Sequence, residues 1–167
     1  MKIDKEIIRK YIGAQLRCLR IDAGMSIGEV SHISGYNKSN ICNVENGKYT
    51  PGVDIVTNLA KFYGGEIHID PSRIEWAVAQ AQQIIDKCAP ILHDAVVDNE
   101  YHPVVDKEDD IANWCYNYAD DDVRGDLDAI YFDLGDDETL DTQFALQYAD
   151  EQLYEYQQSI LNNNATS

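Results

Sequence analysis

The sequence predicts a mainly α-helical protein that is divided into two domains, and three observations support this prediction. Apolar residues recur at intervals of three and four along most of the chain, which is the helical period. Glycines and helix-capping residues separate the periodic segments. The charge also changes near Pro71: residues 1–70 contain nine Lys/Arg and eight Asp/Glu, whereas residues 71–167 contain four and 22. We therefore predict a domain boundary at residues 70–72.

The composition excludes several classes of protein. A chain of 167 residues, 44% of them hydrophobic, can form a packed core. It contains no apolar run that could span a bilayer, and its first ten residues lack the apolar core of a signal peptide, so we expect a cytoplasmic protein. The four cysteines are scattered, which argues against a zinc site or a disulfide framework. We expect no metal and no cofactor.

The first helix is predicted from Asp4 to Ala23. Its apolar stripe consists of Ile8, Ile12, Leu16 and Leu19. After it, Ser26 and Glu29 form the pattern of a capping box, in which each side chain hydrogen-bonds the other residue's backbone N–H. Gly35 ends the helix that follows, because glycine adopts the left-handed conformation at low cost. Two short helices joined by a glycine-containing turn make a helix-turn-helix motif, and their predicted bounds are Ile27–Ser34 and Lys38–Asn46.

Several motifs in this region occur together without a gap. They are Leu19–Arg20, Gly24–Ser26, the turn glycine Gly35, the I-x-x-V-E-N-G-K block at Ile41–Lys48, Pro51 and Leu59–Lys61. On these motifs, the stretch from about Tyr11 to Ile69 resembles the Cro/C1-type (XRE) helix-turn-helix family. The resemblance implies a lambda-repressor-like domain of four or five helices, sequence-specific binding of double-stranded DNA, and a role as a transcriptional regulator, specifically a repressor.

The same resemblance assigns roles to single residues. Lys38, Ser39 and Asn43 match the positions that read bases. Their chemistry suits this, since lysine donates to guanine O6 and N7, asparagine can pair with adenine, and serine can serve either. The alternative is a polar face that is merely solvated. The residues expected to flank the base readers or to contact phosphates are Asn37, Asn40, Asn46, Gly47 and Lys48.

Two further positions follow from the resemblance. It implies that Arg20 pairs with Glu45 and so clamps the first helix to the recognition helix, as a structural ion pair and not as a DNA contact. Ile27 departs from the family pattern, which usually has a phosphate-binding glutamine here. We expect Ile27 to pack against a partner or against the C-terminal region, and we expect weaker DNA binding as a result.

After a fourth helix, predicted at Val53–Tyr63, the segment Glu66–Asp70 alternates polar and apolar residues, which predicts a short strand. A lone strand has unsatisfied edges. Because antitoxin-like relatives pair such a strand with its own copy, we expect Ile67 and Ile69 to belong to a strand at the interface of a homodimer.

Residues 71–162 are predicted to form an acidic, all-helical domain for oligomerisation or partner binding, and residues 163–167 a frayed tail. Pro71 suits a helix start, and Pro90 is expected to kink or end that helix. The last helix is expected from about Glu138 to Leu161. The acidic runs lie mostly at predicted helix starts, where carboxylates suit the helix dipole.

No group of residues resembles a catalytic site, so we expect no enzyme. Three functions remain open. The chain could be a DNA-binding regulator whose acidic domain mediates interactions. It could be an antitoxin-type regulator whose acidic half neutralises a basic protein partner. It could also be a DNA mimic that inhibits a DNA-binding enzyme, since residues 71–167 carry a formal charge of −18.

Overall fold

The computed structural model describes residues 2–98, 110–135 and 139–165, and most of that length is helical. The described ranges contain eight helices. They form two compact units, Met1–Glu75 and Trp76–Ser167. Within the described ranges, no helix is long and apolar enough to cross a membrane.

The first unit contains four helices whose ends lie within one residue of the predicted ends. They are α1 (Lys5–Asp22), α2 (Ile27–Ser34), α3 (Lys38–Glu45) and α4 (Val53–Phe62). Local hydrogen bonds explain these ends. The Asp4 carboxylate accepts from the Ile7 N–H at 2.9 Å and caps α1. Gly24, Gly47 and Gly64 follow α1, α3 and α4 with positive φ, as left-handed glycines do at helix ends.

The core of the first unit lies between these four helices. Full burial of a Leu or Ile side chain contributes about 1.5–3 kcal/mol, so this cluster is the main stabilising element of the unit. Its buried members are Leu16, Val30, Ile41, Val44, Ile55, Leu59, Ala60 and Tyr63. Ile33, which the periodicity places on the inner face of α2, is instead half exposed, because the short helix buries only the turn at Val30.

The predicted strand at Glu66–Asp70 is wrong, since this described segment has no regular secondary structure. The Gln15 side chain makes the backbone hydrogen bonds that a neighbouring strand would otherwise make with His68. The Gln15 amide donates to the His68 carbonyl at 2.6 Å, and its oxygen accepts from the His68 N–H at 3.0 Å. Ile67 packs against the core of the first unit, whereas Ile69 is 51% exposed. The two isoleucines therefore do not form the expected dimer strand.

The remaining helices are α5 (Pro71–Val97), α6 (Ile111–Tyr118), α7 (Asp121–Leu134) and α8 (Leu140–Ala165). We expected Pro90 to end or kink the helix. It does not end the helix, because α5 continues through it. Proline removes one hydrogen bond of the helix. Leu92 and Val96 beyond it are both buried, and their packing offsets that loss.

The end of α8 differs from the predicted one. The helix continues through Asn163, Asn164 and Ala165, so these residues are not the frayed tail that was expected. The upstream part of α8 is anchored by a buried hydrogen bond, in which Thr142 Oγ1 donates to the Leu134 carbonyl at 2.9 Å. The predicted loop at 99–106 and the acidic run at 136–138 lie outside the described residues.

Candidate nucleic-acid interface

The start of α2 is fixed by the predicted capping box, which the structure confirms. Ser26 Oγ accepts from the Glu29 N–H at 3.2 Å, and the Glu29 carboxylate accepts from the Ser26 N–H at 2.7 Å. These two hydrogen bonds favour the ionised carboxylate and lower the pKa of Glu29. The start of α2 is therefore determined by hydrogen bonds between residues three positions apart and needs no long-range contact.

Hydrogen bonds also hold the turn between α2 and α3. Gly35 ends α2 with φ +78°, a conformation that a side chain would disfavour. Ser31 Oγ donates to the Tyr36 carbonyl at 2.7 Å, and Asn58 on α4 donates to the Tyr36 hydroxyl at 3.0 Å. The angle between the two helices is thus fixed from both sides of the turn.

The first turn of α3 presents the predicted contact residues. Asn37 caps the helix, and its side-chain oxygen accepts from the Asn40 N–H at 2.7 Å. Lys38 and Ser39 are exposed at the helix start. Asn40 is half-buried and its side-chain oxygen accepts from the Tyr49 hydroxyl. The side-chain oxygens of Asn37 and Asn40 are thus already hydrogen-bonded within the chain. Lys38 and Ser39 are therefore the polar side chains of this turn that are best placed to contact DNA.

Asn43 lies one helical turn beyond Ser39 and is therefore on the same face of α3. It is half-buried, whereas Ile41 and Val44 on the other face are fully buried in the core. The burial pattern separates a polar face from an apolar one along α3. The structure thus brings the three predicted base readers together on one side of a short, rigid helix.

The corner after α3 is a Schellman motif. The Gly47 N–H donates to the Val44 carbonyl at 3.1 Å, and the Lys48 N–H donates to the Asn43 carbonyl at 3.0 Å. Both backbone donors are thus used within the chain. Our prediction of a phosphate contact at this corner therefore depends on the exposed Lys48 side chain. Asn46 is half-buried and donates to Cys42 Sγ at 3.4 Å.

The Arg20 guanidinium and the Glu45 carboxylate form a bidentate pair. Arg20 Nε lies 2.7 Å from Glu45 Oε1, and Nη2 lies 2.9 Å from Oε2. A third donor, Nη1, reaches the Met25 carbonyl at 2.9 Å. The side chains are only 12% and 3% exposed, so neither charge lies on a DNA-facing surface. The pair joins the end of α1 to α3.

The electrostatic effect of this pair extends to its neighbours. The hydrogen bonds that Arg20 donates to the Glu45 carboxylate stabilise the charged guanidinium and raise the pKa of Arg20 further. Burial, together with the nearby Glu45 carboxylate, raises the pKa of Tyr63 to about 12. Both groups therefore keep their protons throughout the physiological range, so Arg20 remains cationic.

Two glycines let α1 approach α3 closely enough for this pair to form. A Cβ on Gly13 would lie 2.4 Å from the Glu45 carbonyl oxygen, and a Cβ on Gly47 would lie 2.8 Å from Lys10 backbone atoms. The sequence analysis did not single out Gly13. A glycine in the interior of an amphipathic helix was the available signal, because it often marks a close approach of two backbones.

Ile27 and Gly28, at the start of α2, both lie close to other residues of the first unit. Ile27 is partly buried and packs against the core of the first unit. Its expected contact with a partner or with the C-terminal region stays a prediction. At Gly28, an added Cβ would lie 3.6 Å from both Cε and Nζ of Lys38. The Lys38 side chain therefore lies across the N-terminal turn of α2, where a side chain at position 28 would restrict it.

The first unit thus has the geometry of a helix-turn-helix domain, in which α3 is the recognition helix and α2 precedes it across a fixed turn. Residues 12–67 match a family model described as a helix-turn-helix domain, and the first unit is a helix-turn-helix domain of the Cro/C1 type. No curated protein and no solved structure matches the chain.

Proposed function

We propose that this protein is a sequence-specific DNA-binding transcriptional regulator, and specifically a repressor. The observation that carries the proposal is the polar face of α3, where Lys38, Ser39 and Asn43 lie together on a helix clamped by the Arg20–Glu45 pair. The first helix of such a motif crosses the DNA backbone while the second enters the major groove. A polar face held this rigidly suits base reading because it is ordered before binding.

The site for this regulator is expected to be an inverted repeat that a dimer binds. Two recognition helices related by a two-fold axis reach half-sites about one turn, ~34 Å, apart. Repression follows when such a site overlaps a promoter, because bound protein excludes the polymerase. We do not assign the dimer contact to Ile67 and Ile69, because the segment around them forms no strand and Gln15 hydrogen-bonds the His68 backbone between them.

Selection from a random duplex library with the full-length protein tests this proposal. An enriched inverted repeat is the expected result, and Lys38→Ala and Asn43→Ala should each relax one base position at a cost of roughly 1–3 kcal/mol. Lys61→Ala is the matched control, since Lys61 is an exposed lysine on α4 of the same unit. Enrichment of the same bases by all three variants would refute the assignment of the readers.

A second candidate function is supported by the charge of residues 71–167, which is formally −18. An acidic half of this charge favours a basic protein partner, as in antitoxin-type regulators. The described acidic side chains at Asp120, Asp121, Asp122, Asp126 and Asp133 are exposed. Co-purification of the full-length protein with the product of a neighbouring gene, reversed by 0.5 M salt, would favour this candidate.

A further inference from the structure

The second unit contains a pocket of about 360 Å³ in which residues of α6, α7 and α8 meet. Pockets that bind small molecules begin at about 300 Å³, so this volume suffices for a small ligand. Among the described residues of the wall, three side chains are carboxylates and none is a lysine, arginine or histidine. The lining residues are Asp110, Ala112, Asn113, Tyr116, Asp128, Tyr131, Leu134, Leu146 and Asp150.

Hydrogen bonds hold each of the three carboxylates in place. Asp110 caps α6 and accepts from the Asn113 N–H at 2.8 Å. Asp150, on α8, accepts from the Ala112 N–H at 2.9 Å, so it binds the same helix end. Asp128, on α7, accepts from the Tyr116 hydroxyl at 2.8 Å. The carboxylates are thus preorganised by the fold, which lowers the cost of ordering them around a ligand.

The Asp150 carboxyl is the most buried of the three. Burial is the main cause that raises its pKa to about 7; the Asp110 and Glu151 carboxylates act in the same direction, and the N–H bonds from Ala112 and Ile111 oppose them. Negative charge is therefore costly at this wall in the absence of a cation. A positively charged ligand would remove that cost.

The rest of the wall is aromatic and aliphatic. The Tyr116 and Tyr131 rings are 6.2 Å apart between centroids and tilted by 55°. The Arg124 guanidinium already lies over the Tyr116 ring, 5.7 Å from its centroid, so the aromatic surface left for a ligand is that of Tyr131. Leu134 and Leu146 add aliphatic surface beside it.

We propose that this pocket binds a small organic amine, with an ammonium group beside a carboxylate of the wall and its alkyl chain against Tyr131, Leu134 and Leu146. An anion is disfavoured because the described side chains of the wall include carboxylates and no cation. A metal ion is disfavoured because, within the residues that the structure describes, no three ligating side chains lie close enough to hold one. The pocket lies wholly within the second unit, so this proposal is independent of DNA binding.

Calorimetric titration of the full-length protein with 1,4-diaminobutane at pH 7 tests the proposal. We expect saturable binding, no binding of the neutral isostere 1,4-butanediol, and no competition from an equal concentration of Mg²⁺. If butanediol binds equally well, the pocket recognises the chain and not the ammonium group. If Mg²⁺ abolishes binding, the interaction is general screening of an acidic protein. Either result overturns the proposal.

Three charge-neutralising variants locate the site. Asp128→Asn and Asp150→Asn keep an oxygen that can accept the existing hydrogen bonds, and each should weaken diamine binding at least tenfold. Asp133→Asn is the matched control: it is exposed on the same helix as Asp128 but does not line the pocket, and its affinity should be unchanged. Equal weakening in all three variants would show attraction to the overall charge and would refute the site.

Proton release gives a readout that does not depend on the folding of any variant. At pH 7 part of the Asp150 population is protonated, and a bound ammonium group should ionise it. The wild-type titration should therefore release protons, measured as a difference in heat between buffers of different ionisation enthalpy. The release should be lost in Asp150→Asn. Binding without proton release in the wild type would exclude Asp150 from the site.

Discussion

The buried Arg20–Glu45 pair gives the sharpest test of how the recognition helix is held. Replacing Glu45 with alanine leaves the Arg20 guanidinium 12% exposed with only the Met25 carbonyl among its three observed acceptors. Removing one partner of a buried pair costs about 3–5 kcal/mol, because a buried charge remains without compensation. The total stability of a domain is only about 5–15 kcal/mol, so this loss should be large.

Hydrogen exchange on the full-length protein measures that loss where it occurs. Peptides from α1 and α3 should exchange faster in Glu45→Ala by the factor that corresponds to the loss, about two to four orders of magnitude. Peptides from α7 and α8 should be unaffected because they belong to the second unit. Binding to the selected DNA should weaken in parallel, since α3 loses its clamp.

Glu66→Gln is the control for the change of charge, because Glu66 lies in the first unit and its side chain is 84% exposed. It should leave exchange in α1 and α3 unchanged. The reasoning fails if Glu45→Ala has wild-type exchange in these helices but has lost DNA binding. Glu45 would then act at the DNA surface, contrary to its burial.

Three further predictions concern other parts of the chain. Gly47→Ala should destabilise the first unit by about 2–4 kcal/mol in denaturant unfolding, because φ is +63° and the new Cβ meets the Lys10 backbone at 2.8 Å. Lys48→Ala should weaken binding to all DNA sequences alike, and the slope of log K against log salt should become shallower by about one unit. Asp150 favours its protonated form in the folded protein, so its contribution to the free energy of unfolding is present below pH ~4 and is lost as the pH rises to about 7. Asp150→Asn should reduce this pH dependence by up to ~2 kcal/mol, measured by melting at a series of pH values.

The ends of the helices in the first unit could be predicted because their causes are local. Ser26 and Glu29 are three residues apart, and the hydrogen bonds between them need nothing else from the chain. The hydrogen bonds that end α1, α3 and α4 at Gly24, Gly47 and Gly64 likewise join residues at most five positions apart. Such signals are readable in a sequence because they do not depend on tertiary packing.

In the segment at Glu66–Asp70, the local sequence pattern does not predict the structure. Its alternation is typical of a strand, yet Gln15 supplies the hydrogen bonds that a neighbouring strand would supply, from 53 residues away. Gly13 is similar, because its function depends on the approach of α3 and not on the sequence around it. Pro90 lies within a continuous helix for the same kind of reason: tertiary burial of Leu92 and Val96 outweighs a local preference.

The candidate DNA contacts are predicted by the motif, but their relative importance comes from the structure. Asn37 and Asn40 have side-chain oxygens committed to the cap and to Tyr49. The Lys48 backbone donor is committed to the corner after α3. Side chains that are already hydrogen-bonded would give up those bonds in order to contact DNA, so we expect Lys38, Ser39 and Asn43 to dominate base recognition.

The charge distribution adds a constraint on how such a regulator works. Residues 1–70 carry a formal charge of only +1, so the sequence-independent attraction of this part to phosphates is weak. Weak attraction lowers nonspecific affinity more than it lowers the discrimination between sites, because discrimination comes from base contacts. If the proposed function holds, we expect occupancy of the DNA site to depend mainly on Lys38, Ser39 and Asn43. Ile27 also weakens the attraction to phosphates, because its side chain packs against the core at the position where the family pattern has a phosphate-binding glutamine.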